Sequence, residues 1–502
     1  MRVKATIQRL STGVRGLDEV LGGGLPEYSF NVIAGRPGCG KTTLAHQMMF
    51  AMASPERSAL YFTVLGEPPM KMLRYQQQFD FFDDDQVSRS IRFINLADDV
   101  RAGDLDRVMG RIAAEVERHG PGLVFMDSFR SAVQDERGGE SRPGLQNFVQ
   151  HLAVLMSAWQ ATTFLIGEYG SEHDAHPVFT VADGLIWLHQ TQQRGSMVRK
   201  LEIVKMRGQP TLPGLHTFRI SGRGIDVFAP AAALGASDRG PTPTKGQRVP
   251  MGVPGLDAML GGGLPLGYSL LVAGPSGSGK SILAAAFLAA GARRGERGVI
   301  AAFEQHPSRA RDRVVANLIA VGQVGLVDSR SPDLSIDEVV CMILDEVRRL
   351  DARLVVIDSL SGFELALAPT FREDFRESLA RLITTLAGAG LTVLLTSELE
   401  DRYVDLRFSP YGTAFLTDAI IVQRYVEIDS RLRRLMAVVK VRASDHSDAL
   451  RLYSITDDGI RIDQTVPEEE GLLGGRPSRR STPVEAIEAT AVSDGRPMRA
   501  AP

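Results

Sequence analysis

A chain of 502 residues is too long for one ordinary domain and points to two or three. Its composition, 44% hydrophobic and 23% charged, is that of a globular protein with material for large cores, which excludes a disordered or fibrous chain. The 57 basic and 60 acidic residues are interspersed and leave a formal net charge of −3, so no basic domain emerges and nucleic acid is disfavoured as the main partner. Cys39 and Cys341 are too few for a disulfide framework and suit a reducing cytosol. The N-terminus (MRVKATIQRL) has no apolar signal core, and no apolar run reaches the ~18 residues of a membrane span, so the expected setting is cytoplasmic.

Taken in order, the chain first gives GLD at 16–18 and GGGLP at 22–26, then the apolar run Phe30–Ala34. GRPGCGKT follows at Gly35 to Thr42, and a helix-like stretch covers Thr43–Ala53. Strand, glycine-rich loop and helix form the context in which G-x-x-x-x-G-K-[ST] binds phosphate. Strands are predicted near Ala59–Val64, Arg92–Asn95, Leu123–Asp127 and Thr162–Gly167, with helices over Asp104–Arg118 and Leu145–Ala158 between them. This alternation predicts an α/β fold with a mainly parallel sheet and helices on both faces. Gly184–His189, Arg199–Lys205 and His216–Ile220 read as an antiparallel extension, and a ligand is expected at the carboxyl ends of the parallel strands.

The landmarks then recur. GLD returns at 255–257, GGGLP at 261–265, and the loop at Gly274 to Ser281 as GPSGSGKS, after Leu270–Ala273 and before the helix-like Ile282–Ala290. The loop lysines are 239 residues apart (280 − 41). LVFMDS (123–128) matches LVVIDS (354–359), FLIGE (164–168) matches VLLTSE (393–398), and VKMR (204–207) matches VKVR (439–442). Such self-similarity means one domain in two copies, assigned to 1–228 and 249–465. Residues 229–248, rich in Ala, Gly, Pro and Thr, read as a linker, and 466–502 as a disordered tail.

In the first loop Gly35, Pro37, Gly38, Cys39, Gly40, Lys41, Thr42 and Thr43 are the expected phosphate cradle. Gly274, Ser276, Gly277, Ser278, Gly279, Lys280, Ser281 and Ile282 are its counterpart in the second. Glycines let successive N–H groups point at phosphate oxygens, and the following helix adds its positive end. Lys41 and Lys280 would reach the β- and γ-phosphates; Thr42 and Ser281, with the strand-ending Asp127 and Asp358, would serve Mg²⁺. An ordinary capping Asp is the alternative for either carboxylate. Cys39 reads as a tolerated small residue rather than a redox switch, and Tyr169, Trp159 and Trp187 as packing.

Glu304, after the strand GVIAAF, is the candidate base that polarises an attacking water, against an exposed strand-end Glu. Matching Pro68 with Pro307 puts Leu65 and Gly66 opposite Glu304 and Gln305, so Glu67 could replace the base only if its loop shifts. Lys205 with Arg207, and Lys440 with Arg442, sit two apart on predicted strands and so on one face. Each pair is either a solvated edge or a finger reaching the γ-phosphate of a neighbouring subunit. Glu168 and Glu398 end the strand after the Asp strand, as phosphate sensors or helix caps.

The order GLD–GGGLP–phosphate loop–Asp-Ser–K-x-R, given twice, resembles the KaiC family of double-domain RecA-like ATPases over about residues 10–463. The resemblance implies two tandem RecA-like P-loop NTPase domains and a homohexamer of two stacked rings. ATP would lie at each subunit boundary, met by the neighbour's K-x-R. It also implies ATPase activity and, as an alternative, Ser/Thr autokinase activity. Two departures matter. The clock proteins of this family carry Glu-Glu where this chain has Leu65-Gly66 and Glu304-Gln305. They also carry adjacent Ser-Thr phosphosites where it has Ala414 and Phe415, before TDAII (417–421), leaving Ser409, Thr413 and Thr417 as other acceptors. The expectation is a nucleotide-driven signalling ATPase whose first site binds ATP firmly and hydrolyses it poorly. A nucleotide-gated scaffold with little turnover and a DNA motor are the other readings, the last disfavoured by charge.

Overall fold

A computed structural model describes residues 7–64, 69–101, 104–128, 143–170, 177–193, 195–230, 246–303, 313–328, 333–372, 375–399, 415–428, 430–465, 469–470 and 478–479. In the first half the main elements are β1 (Phe30–Gly35), α1 (Lys41–Met52), β2 (Ala59–Thr63), β3 (Ile91–Asn95), α2 (Leu105–His119) and β4 (Leu123–Asp127). They continue with α3 (Pro143–Ala158), β5 (Thr162–Glu168), β6 (Gly184–Gln193), β7 (Ser196–Met206), β8 (Leu215–Ser221) and β9 (Gly224–Phe228). The second half runs β10 (Ser269–Gly274), α4 (Lys280–Arg293), β11 (Gly298–Ala302), β12 (Val324–Asp328), α5 (Ile336–Leu350) and β13 (Leu354–Asp358). After these come α6 (Phe375–Gly388), β14 (Thr392–Glu398), β15 (Ala419–Ile428), β16 (Arg431–Val441), β17 (Arg451–Thr456) and β18 (Gly459–Thr465).

Each half builds a nine-stranded sheet with the same order: β9-β8-β7-β6-β1-β5-β4-β2-β3, and β18-β17-β16-β15-β10-β14-β13-β11-β12. The α/β reading and the duplication therefore hold at the level of topology. Strands β1, β2, β4 and β5 are almost wholly buried because helices cover both faces, and two apolar clusters, one per face, flank each sheet. One expectation is corrected. Gly184–His189 is not antiparallel: β6 pairs parallel with β1, and the antiparallel extension starts only at its pairing with β7. The short helix Pro177–Val181 lies in the crossover that makes this possible.

The repeated GLD and GGGLP prove to be folding devices. Asp18 accepts hydrogen bonds from the Thr12 N–H (2.8 Å), the Thr12 hydroxyl (2.7 Å) and the Ser11 hydroxyl (2.6 Å), folding the segment before it. Asp257 accepts from the Met251 N–H in the same way. Arg9–Leu10 then pairs with Leu25–Pro26, and Arg248–Val249 with Leu264–Pro265. Arg248, the last residue of the expected linker, is thereby part of the second half, and Ala229, the first, is buried in the core of the first. Residues 231–245 lie outside the described residues. In the tail Glu469–Glu470 pairs with Ser478–Arg479. Among the described residues no helix is long and apolar enough to cross a membrane.

The halves meet along a polar seam. Thr217 and Arg219 on β8 contact the start of α5: the Thr217 and Ser335 hydroxyls are 2.8 Å apart, and Arg219 pairs with Glu338 while donating to the Asp333 carbonyl at 2.9 Å. Ser335 and Glu338 also form the capping box of α5, so one carboxylate serves both the helix and the seam.

Candidate nucleotide site

Both glycine-rich loops leave the carboxyl end of the central parallel strand, with Asp127 or Asp358 and Glu168 or Glu398 ending strands on the same edge. Gly40 and Gly279 sit at φ 109 and 101, where L side chains are strained. A Cβ on Gly40 would also lie 2.8 Å from Ile220 Cδ1, and one on Gly279 3.0 Å from Ile455 Cδ1. No side chain caps α1 or α4, so their first N–H groups are left to the loop and to an anion held there. Lys41 Nζ lies 2.9 Å from the Arg36 carbonyl, and Lys280 Nζ 2.8 Å from those of Gly274 and Pro275, which centres each ammonium on its loop.

The loops are braced differently. Cys39 is fully buried against Gly35, and burial pushes its thiol pKa up despite the nearby Lys41 ammonium, which suits packing rather than thiolate chemistry. Its counterpart Ser278 instead donates to Gln423 Oε1 at 2.9 Å, and its carbonyl accepts from the Tyr453 hydroxyl at 2.6 Å.

In the first half the structure brings Thr42 and Asp127 together: the hydroxyl donates to Asp127 Oδ2 at 2.7 Å. A third group, which the sequence reading missed, completes the cluster. The Tyr61 hydroxyl donates to the same oxygen at 2.9 Å. Burial pushes the Asp127 carboxyl pKa up, with the Thr42 and Tyr61 donors and Lys41 opposing it and Glu168 adding to it. In the second half Ser281 and Asp358 share no hydrogen bond among the described residues, and Asp358 Oδ1 accepts from the Thr396 hydroxyl. A hydroxyl beside one carboxylate at a phosphate loop fits Mg²⁺, which takes few protein oxygens and fills its shell with water and phosphate. It does not fit zinc, and no cluster of three or more metal-ligating His, Cys, Asp or Glu occurs among the described residues. Bound there, Mg²⁺ would neutralise charge on the β- and γ-phosphates. The peptide bonds Asp127–Ser128 and Asp358–Ser359 are both cis.

The K-x-R pairs are not at their own loops. Lys205 pairs with Leu185 and Leu185 with Val32, three residues or about 10 Å before the end of β1. Arg207 lies one residue past β7 rather than on it, and its guanidinium bonds Asp183 at 3.2 Å, whose other oxygen holds the Phe30 N–H. The second half repeats this, with Arg442 just past β16, on Asp418 at 3.1 Å, and Asp418 on the Ser269 N–H. Lys205 donates to the Phe179 and Thr180 carbonyls and Lys440 to that of Thr417; burial, then the adjacent arginine, lowers both ammonium pKa values. A register shift falls at the same place in both strand pairs, between Leu185 and Ile186 and between Ile420 and Ile421. Glu67, Leu65, Gly66, Glu304 and Gln305 lie outside the described residues. The residues just before them are anchored: the N–H groups of Val64 and Phe303 donate to the Asp127 and Asp358 carbonyls at 3.0 Å each.

A nine-stranded, mainly parallel sheet with a phosphate loop and a strand-end Asp, built twice, defines a tandem P-loop nucleotide-binding protein. A family model described as "ATPase: KaiC" matches residues 10–232 and 249–466. The chain belongs to the KaiC family of ATPases, and one of its two glycine-rich loops lies in each matched region. Among its relatives are the circadian clock oscillator protein KaiC of Picosynechococcus sp., 27% identical over 94% of this chain and 93% of its own length, and KaiC 1 of Synechocystis sp., 27% identical over 95% and 93%. KaiC of Thermostichus vulcanus is 25% identical over 95% and 93%.

Proposed function

We propose that the protein is a homohexameric, nucleotide-driven regulatory ATPase with two stacked rings, which binds Mg·ATP at each subunit boundary and presents its nucleotide state to a signalling partner. The observation that carries this reading is the placement of the K-x-R pairs. Lys205 and Arg207 are tethered at the amino end of the sheet, level with Val32 and Phe30, while their own loop leaves the carboxyl end. Cations so placed serve a phosphate on another subunit, as an arginine finger does in trans. A heterologous boundary builds a ring when its rotation closes, and the hexamer proposed here is that closed case.

The two rings have unequal work. In the second, Glu304 is the base and Asp358 with Ser281 holds the metal; in the first, Leu65 and Gly66 stand where the acids would be, and the site holds ATP as a structural ligand. Autophosphorylation of the clock type does not fit the residues near TDAII. Ala414, Ser409 and Thr413 lie outside the described residues, Phe415 is exposed with the Arg376 guanidinium 4.7 Å from its ring centre, and Thr417 is fully buried.

Phosphate release and size-exclusion mass, measured on Lys41→Ala and Lys280→Ala, test the division. Lys280→Ala is expected to remove most turnover and leave the ring intact, and Lys41→Ala to weaken assembly. Equal losses of turnover would contradict it.

A further inference from the structure

The two halves hold their strand-end aspartates from opposite sides. Sheet register makes Tyr61 the counterpart of Ile300, because Tyr61 pairs with Phe125 where Ile300 pairs with Val356, each two residues before the aspartate. It likewise makes Ile166 the counterpart of Thr396: Ile33 pairs with Ile166 and Val272 with Thr396. Thus Asp127 has a donor on the β2 side and isoleucine on the β5 side, while Asp358 has isoleucine on the β11 side and a donor on the β14 side.

Tyr61 is fully buried, and its ring is gripped by His46 at 4.6 Å, Phe93 at 5.4 Å and Phe125 at 6.1 Å between centroids. Packing alone would be served by phenylalanine, since a buried hydroxyl costs free energy unless it is paired. Here the pairing is charge-assisted, and both Tyr61 and Thr42 donate to Oδ2. The Thr42 hydroxyl has oxygen lone pairs to offer a cation and is itself a candidate ligand, whereas the phenol donates to the carboxylate from the buried core beneath.

We infer that Tyr61 is the positioning residue that aims the Asp127 carboxylate at the metal in the first half, and that Thr396 does the same for Asp358 in the second. The inference rests on the reading of both aspartates as Mg²⁺-holding groups. It predicts that metal affinity in the two halves can be altered separately through residues that touch neither nucleotide nor metal.

The experiment uses the full chain carrying Lys280→Ala, so that the first loop reports, and follows binding of a fluorescent ATP analogue as Mg²⁺ is titrated. Tyr61→Phe is expected to raise the Mg²⁺ concentration for half-maximal binding about tenfold, with binding in EDTA unchanged. Adding Ile166→Thr, which copies the arrangement of the second half, is expected to recover much of the loss. Asp127→Asn is the control on the underlying reading: if it leaves the Mg²⁺ midpoint alone, the metal assignment itself is wrong. If Asp127→Asn shifts the midpoint and Tyr61→Phe does not, or if Tyr61→Phe weakens EDTA binding equally, the positioning role is overturned. Thr396→Val on a Lys41→Ala chain gives the same reading in the second half, and an unmoved Mg²⁺ midpoint there removes that half of the inference.

Discussion

His46 shows how far the chemistry of the first loop extends below it. It lies on α1, five residues past Lys41, fully buried against Tyr61, and burial holds its imidazole neutral, with the pKa pushed down to about 4 and only partly offset by the Gln76 amide. Unfolded, a histidine takes up a proton below its ordinary value of 6.5; in this core it does not until about pH 4. The unfolded state therefore binds more protons between those values. The stability this burial contributes is complete above about pH 6.5 and falls by about 3 kcal/mol as the pH drops to 4. Trp159 and Trp187, the only tryptophans, both lie in the first half, so their fluorescence reports its unfolding. His46→Leu is expected to flatten the pH dependence of the urea midpoint between 4 and 6.5; an unchanged slope would show that another group titrates. The phosphate-loop residues were legible from the sequence because the pattern is contiguous. His46 and Tyr61 were not, because a buried polar residue in an apolar run has no local signature until its acceptor is placed.

At the scale of elements, β8 is the strand with two duties. Phe218 and Ile220 point one way, their side chains closing on Gly40 of the first loop, while Thr217 and Arg219 point the other way onto the capped start of α5. Arg219 is the partner of a Glu338 carboxylate that is itself buried, and losing it leaves that charge to the long Ser335 N–H bond of the capping box, at a cost of about 1–3 kcal/mol. Arg219→Ala is expected to lower the melting temperature of the first transition by about 2–4 °C for each kcal/mol and to separate the two halves in calorimetry. Arg15→Ala, which removes an exposed cross-half ion pair with Asp345, is the comparison: both partners are 44% exposed, so little change is expected. Equal effects would mean that the seam at α5 contributes no more than a surface pair. Strand positions such as Leu123–Asp127 were read from apolar runs bounded by turn residues, but the direction of β6 was not. An apolar run fits a parallel or an antiparallel neighbour equally well, and only the crossover decides.

For the whole molecule, the proposed ring with K-x-R away from its own loop requires that no subunit complete a site alone. Lys280→Ala and Arg442→Ala should each be inactive as uniform rings. When they are mixed and reassembled, about a quarter of boundaries would join an intact loop to an intact arginine, because the boundary is heterologous. Recovery of phosphate release on mixing is expected, and its absence would mean that the arginine acts within its own subunit or not at all.

The sequence by itself determined the duplication, the two glycine-rich loops after their strands, the strand-end aspartates and the α/β class, because each is carried by contiguous residues or by periodicity along the chain. Tertiary structure decided the rest. It joined Thr42 to Asp127 across 85 positions and Tyr61 to Asp127 across 66, and it gave Asp358 a different donor, 38 residues away. It also turned GLD from a motif into a fold-holding carboxylate and set Arg207 level with Phe30. These are contacts between strands, and which strands lie side by side depends on the order in which the sheet is assembled, a property that no window of sequence contains.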